Sequence, residues 1–426
     1  MREIPLLKEV IAVFIYRLIL DVSYVLVMSK VFAYNYYMLS PNAFKIFESY
    51  FFLTLILLLL NISFKFKGRI LNSQILIFLF FLISYIPFLS FYALANKSRL
   101  FFYGVTFFWI LIAFLNYIFP EFHVKRLKNS NSIYLFFTLM ANLIGLFLIF
   151  RYLGFSLNFN LSIVYDVRRI YIEAKIPFAG YLFTWLSYAI NPIFLSYCFV
   201  NKKWVNLMLV FFIQLILFSQ TGMKSFLFVP FFVIGIAWLL NKRARIIYWI
   251  PFILSLLIVS GIFSYYIIGD VWVSSLFTNR TLFFPASLSF LYYDFFSKNS
   301  FTYLSSHHIF RSLLEYPYPL DPAYLIGFVY FGKPGMPIMA ANNGIIANAY
   351  MDFGFLGFFF LGFAFVLILK IINGVSKEND IRIAAGVIGF SALYLSNSSL
   401  LTCLLTHGLI VSILFMYLLP RSEKDE

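Results

Sequence analysis

Apolar runs of about 20 residues, the length that crosses a bilayer as a helix, recur along this whole chain and constrain its fold more than any other feature. FFLTLILLLLNISF at 51–64 and ILIFLFFLISYIPFL at 75–89 are two of them. Inside hydrocarbon no water satisfies the backbone, so such a segment must close its own hydrogen bonds as a helix or join a sealed barrel. The runs lack the roughly ten-residue inside/outside alternation of barrel strands. The expectation is an all-α polytopic integral membrane protein, folded as a single transmembrane helical domain over 1–426. Composition agrees, with 62% of residues hydrophobic and 12% charged, against roughly a quarter charged in a soluble domain.

Twelve spans are expected, near 10–33, 47–64, 70–94, 100–119, 132–151, 178–200, 204–219, 225–240, 247–268, 344–371, 381–398 and 401–419. Their connections alternate in character. KFKGR, HVKRLK, NKK, NKRAR and SKENDIR are short and basic, whereas 152–177 and 269–343 are long and poorer in Lys and Arg. Basic loops stay in the cytoplasm, which puts both termini there and both long loops outside. In a bacterial inner membrane that outside is the periplasm. TLFFPASLSFLYYDFF, at 281–296 in the second long loop, is apolar but short and contains Pro285. It reads as a re-entrant or interfacial helix, with Tyr292 and Tyr293 suited to the headgroup zone.

The formal net charge of +15 does not point to nucleic acid, because the cations are scattered between apolar runs and form no basic domain. Cys198 and Cys403 lie far apart within apolar segments, which gives neither a disulfide framework nor metal-ligand spacing. MREIPLLKEV runs into the first span without a small-residue cleavage site, so no cleavable signal peptide is expected. The absence of a P-loop or GxGxxG motif argues against a nucleotide-sugar enzyme with a cytosolic catalytic domain. Neither metal nor cofactor is expected.

The external loops hold the residues that can carry chemistry. Arg168 and Arg169 stand together in SIVYDVRRIYIEAK, Arg280 precedes the short apolar segment, and Lys224 sits in the tight turn SQTGMKS. Guanidinium forks bind phosphate oxygens in pairs. The same arginines also suit anionic lipid headgroups, or Asp166 and Glu173 beside them. Arg17 and Asp21, four residues apart in the first span, read as an internal ion pair. SHHIFRSLLEYPYPLDPAY, at 306–324, brings His307, His308 and Arg311 into an otherwise greasy chain. A histidine accepts or donates a proton near neutral pH, and a surface pair in a wet loop is the plainer reading. Its prolines forbid regular helix and build corners into the loop. Asn342, Asn343 and Tyr350, at the mouth of the tenth span, suit sugar hydroxyls, or a helix cap and an interfacial anchor.

The chain resembles the Wzy-type O-antigen (oligosaccharide repeat-unit) polymerases of bacterial envelopes. The resemblance lies in the span pattern with enlarged third and fifth external loops, and in FSQTGMKSFLFVP, NRTLFFPASLSFLYYDFF and IANAYMDFGFLGFFFLGF. It implies a GT-C-like fold and transfer of a polyprenyl-pyrophosphate-linked glycan onto another lipid-linked repeat unit. It implies pyrophosphate-binding roles for Arg168, Arg169, Arg280, Arg311 and Lys224, and a catalytic role for His307 or His308. Tyr292, Tyr293, Asn342, Asn343 and Tyr350 would contact glycan. Membrane lipids and a chain-length regulator are the implied partners. The family's spacing of arginine, ten residues and glycine occurs as Arg169 to Gly180, and the fifth loop does not repeat it. The alternatives are a lipid-linked oligosaccharide flippase and an O-antigen ligase.

Overall fold

The computed structural model describes residues 6–65, 70–125, 130–154, 157–160, 163–241, 246–307, 309–334 and 339–419. His308 lies outside them. The described chain is helical, with no strand among these residues. The helices are α1 (Val10–Val31), α2 (Ala43–Phe64), α3 (Asn72–Leu94), α4 (Arg99–Ile118) and α5 (Ser130–Tyr152). After the loop helix α6 (Val164–Glu173) come α7 (Ala179–Val200), α8 (Trp204–Thr221), α9 (Lys224–Asn241) and α10 (Tyr248–Ile268). The second long loop carries α11 (Phe284–Phe296) and α12 (Pro322–Phe331). The chain closes with α13 (Ile345–Phe353), α14 (Phe355–Ser376), α15 (Ile381–Leu395) and α16 (Leu400–Leu418).

Ten of the described helices are long and apolar enough to cross a membrane, so the polytopic reading holds; α9 and α15 are apolar but shorter. The tenth expected span, 344–371, is in fact two helices. Gly354, at φ 59°, interrupts it, and α14 alone has spanning length. The last helix is likewise interrupted, at Gly408.

α3 is the most enclosed helix: 94% of its span is buried inside the protein, whereas α5, of the same mean hydropathy, is 28% buried and turns most of its surface outward. α15 packs between α3 and α9 through glycines: Gly389 lies against Leu79 and Ile75 of α3, and Gly386 lies against the Val233 backbone of α9. Several helices carry π-helical turns, including Phe81–Tyr85 in α3 and Leu186–Ile190 in α7. Arg17 is fully buried: its guanidinium reaches Asp21 at 3.0 Å, Ser49 and the Ile86 carbonyl. The Tyr50 hydroxyl donates to the same carboxylate. The expected ion pair therefore joins α1, α2 and α3.

Side-chain bonds at the helix ends sort the connections into two groups. Asn116 reaches Ser63, Lys370 bonds Glu121 at 2.9 Å, and Tyr417 donates to the Lys125 carbonyl, all flanking short basic connections. At the other end Tyr24 donates to Met38, Lys45 to Lys97, and Arg168 to Gly222, beside the long loops. α11 continues without a break from the π-helical Ser274–Phe283, which carries Arg280, and the joined helix is not among the ten that are long and apolar enough to span. It is packed inside the protein: Phe290 stacks on Phe88 at 4.7 Å, and the Ser287 hydroxyl donates to the Asn35 carbonyl.

Candidate functional site

Two clusters form where the long loops begin and end. The first is built on α6 and the turn between α8 and α9. Gly222 ends α8 at φ 64°, and a Cβ there would lie 2.3 Å from the Val164 carbonyl oxygen, so only glycine lets α6 dock this closely. Docking brings the Arg168 guanidinium to the Gly222 carbonyl at 3.1 Å, while its Nε is buried without a hydrogen-bond partner. Lys224 Nζ lies 5.6 Å from the Tyr165 ring centre and the Arg168 guanidinium carbon 5.8 Å from it, so one ring gathers two cations. Neither cation forms an ion pair among the described residues. Arg169, the neighbouring residue, is 69% exposed and pairs with the exposed Asp166. α6 also leaves Tyr165, Ile170 and Ile172 uncovered, an apolar surface suited to the membrane boundary.

Behind these cations the Tyr188 hydroxyl lies 2.6 Å from Ser225 Oγ. Tyr188 meets the His407 ring at 5.9 Å, Tyr394 stacks on the same imidazole at 5.1 Å, and Ser398 Oγ is 2.9 Å from His407 Nε2. The Trp185 indole donates to the Leu405 carbonyl, which fixes the interruption in α16. A polar strip thus runs from Ser225, next to Lys224, to Ser398, and Ser396 and Gly344 then line one small cavity beside Asn343, whose Nδ2 is buried without a partner. In the sequence His407 stands alone. Its partners come from α7, α15 and the turn before α16, and no local pattern announces them.

The second cluster is built on α13 and the start of the 301–321 segment. The buried carboxylate of Asp352 accepts from the Thr302 hydroxyl and, at 3.1 Å, from the Leu304 amide. The Thr302 and Tyr303 amides donate to the Met351 and Asp352 carbonyls. These bonds hold Tyr303 and Leu304 at φ 48° and 69°, a left-handed pair of non-glycine residues, which costs roughly 1–3 kcal/mol each. His307 follows directly, half-buried, its amide donating to the Leu304 carbonyl.

Burial pushes the Asp352 carboxyl up to about 6, against the opposing effect of its two hydrogen bonds. Because the folded value lies above the unfolded one, this group's contribution is complete below about pH 4 and fades as pH rises through 6. Between pH 7.5 and 5 the wild type should gain roughly 1–2 kcal/mol over Asp352→Asn. Thermal unfolding of both proteins at the two pH values measures it; parallel shifts would refute it.

The other expected site residues are placed differently. Arg311 pairs with Asp321, lies over the Tyr316 ring and closes its own loop. Arg280 is exposed and forms no ion pair among the described residues. The headgroup and glycan roles expected for Tyr292 give way to packing: it is 0% exposed and its hydroxyl donates to the Ala341 carbonyl. Tyr350 is also buried, ringed by Phe101, Tyr293, Phe301 and Phe355. Tyr293 lies flat on Phe101 at 4.7 Å. Asn342 is exposed. No group of three or more His, Cys, Asp or Glu side chains able to hold a metal occurs among the described residues.

No family model, curated protein or solved structure matches the chain.

Proposed function

We propose that this membrane protein is a repeat-unit polysaccharide polymerase. In this reading it sits in a bacterial inner membrane with both termini in the cytoplasm, and works on the periplasmic side. A hydroxyl on the acceptor repeat unit attacks the anomeric carbon of a polyprenyl-pyrophosphate-linked glycan. The new glycosidic C–O bond forms as the bond to pyrophosphate breaks, and the lipid pyrophosphate leaves with that electron pair. The hydroxyl proton passes to a fifth-loop histidine, His307 or His308. Pyrophosphate is a competent leaving group, so the reaction needs charge stabilisation more than a general acid.

The observation that carries this reading is the pair Arg168 and Lys224: two cations at the end that carries the long loops, with no carboxylate paired to either among the described residues. Such an excess of fixed charge, beside an apolar surface on α6, suits the phosphates of a lipid held at the membrane boundary. A transporter reading has less support. Arg17 and Lys370, buried charges within the helices, are each tied into an ion pair rather than set along a path.

Deleting the gene and separating the surface polysaccharide by length tests the proposal. A polymerase mutant keeps single repeat units on the carrier lipid or core. Loss of every repeat unit from the core with long chains still on carrier lipid would indicate a ligase. Loss of export would indicate a flippase.

A further inference from the structure

An open cleft of about 650 Å³ lies between the end of α11 and the proline-rich part of the second long loop, lined among others by Lys298, Asn299, Ser300, Tyr303, Pro317 and Tyr318. None of these residues is needed by the phosphate clamp. We propose that this cleft is a glycan subsite that receives the sugar portion of a lipid-linked repeat unit, a proposal that rests on the polymerase reading.

The lining has the two surfaces a pyranose requires. Its C–H faces need flat aromatic rings, and its hydroxyls need mixed donors and acceptors. Tyr303 supplies a ring that is 56% exposed although the backbone beneath it is fixed by Asp352. Tyr318 supplies a second ring, anchored by its hydroxyl on the Ser300 carbonyl and by contacts to Phe295, Phe296 and Tyr316. Asn299 uses its amide N–H on the Phe295 carbonyl, which orients its side-chain oxygen as an acceptor, and Lys298 is an exposed donor. An acyl chain would find no continuous apolar wall here. Rings fixed before binding lose little freedom when a ligand arrives. Arg311 contributes indirectly: its pair with Asp321 and its position over Tyr316 hold the far wall in place.

The placement also fits the chemistry. His307 lies four residues beyond Tyr303, on the same bonded turn, so a sugar resting on Tyr303 lies near the proposed proton acceptor.

The test uses the full chain in lipid nanodiscs. The probe is the lipid-free repeat-unit oligosaccharide released by mild acid from the host cell's own surface polysaccharide. Saturation-transfer NMR should show transfer to the sugar ring protons with the wild type. Tyr303→Ala should weaken binding about tenfold, and Lys298→Ala should weaken it several-fold. Tyr303→Phe, which keeps the ring, should bind normally, and Arg168→Ala should bind the phosphate-free sugar as the wild type does. Absence of transfer to the wild type, or equal binding by Tyr303→Ala and Lys298→Ala, would overturn the subsite. Sugar binding that fails in these variants, in a strain whose gene deletion leaves chain length normal, would keep the subsite and sink the polymerase reading.

Discussion

Arg168→Ala is expected to reduce surface polysaccharide to single repeat units, while Arg169→Ala, one residue along, leaves the length distribution unchanged. The two side chains differ in environment rather than in chemistry. Arg168 is partly buried against the Gly222 turn, with its Nε unpartnered and Lys224 beside it. Removing one fixed donor from a site of developing charge costs about 10²–10³ in rate, or roughly 3–4 kcal/mol. Arg169 is a solvated partner of Asp166, and exposed pairs of that kind are worth about 0–1 kcal/mol. Arg168→Lys keeps the charge but loses the planar fork, so an intermediate length is expected. Equal effects from both alanine variants would remove the structural basis for the clamp. Membrane levels of each variant, read by immunoblot, separate lost transfer from lost protein.

The largest stability effect is expected at Arg17. Arg17→Ala strands the Asp21 carboxylate in the interior and frees the Ser49 and Ile86 contacts, and breaking a buried pair in this way costs about 3–5 kcal/mol. The detergent-solubilised variant should unfold many degrees below the wild type. Replacing both partners, as Arg17→Leu with Asp21→Leu, leaves no unpaired charge and should recover more than half of the loss. A double variant as unstable as the single one would show that the other bonds to Arg17, not the charge pair, hold the three helices.

What could be read from the sequence divides along physical lines. The spans were legible because a bilayer demands about 20 apolar residues wherever a helix crosses. Arg17 and Asp21 were legible because their spacing alone puts them on one helix face. The break at Gly354 was not, since FGFLGFFF continues the apolar run and hydropathy does not register a change in φ. Nor was the difference between Arg168 and Arg169 legible. Adjacent positions on a helix point about 100° apart, and which one faces the protein depends on where α6 docks. Gly222 in SQTGMKS was the available signal, a glycine at a tight turn that a neighbouring backbone can approach. His407 and Tyr303 were missed for a related reason. Their partners, Tyr188 and Asp352, come from helices that only the folded bundle brings beside them.

The π-helical turn in α3 sets the rotational phase of everything beyond it. Each such turn holds about one residue more than an α-helical turn and so rotates the downstream side chains by about 100° relative to an unbroken helix. Phe88 and Tyr92 lie beyond Phe81–Tyr85, and their present bearings put one ring flat on Phe290 and the other's hydroxyl on Glu48. A helix of the same composition but one residue shorter there would aim both away from these partners. The seating of α11, and with it the floor of the cleft beside the second long loop, therefore depends on one extra residue in the helix beneath it.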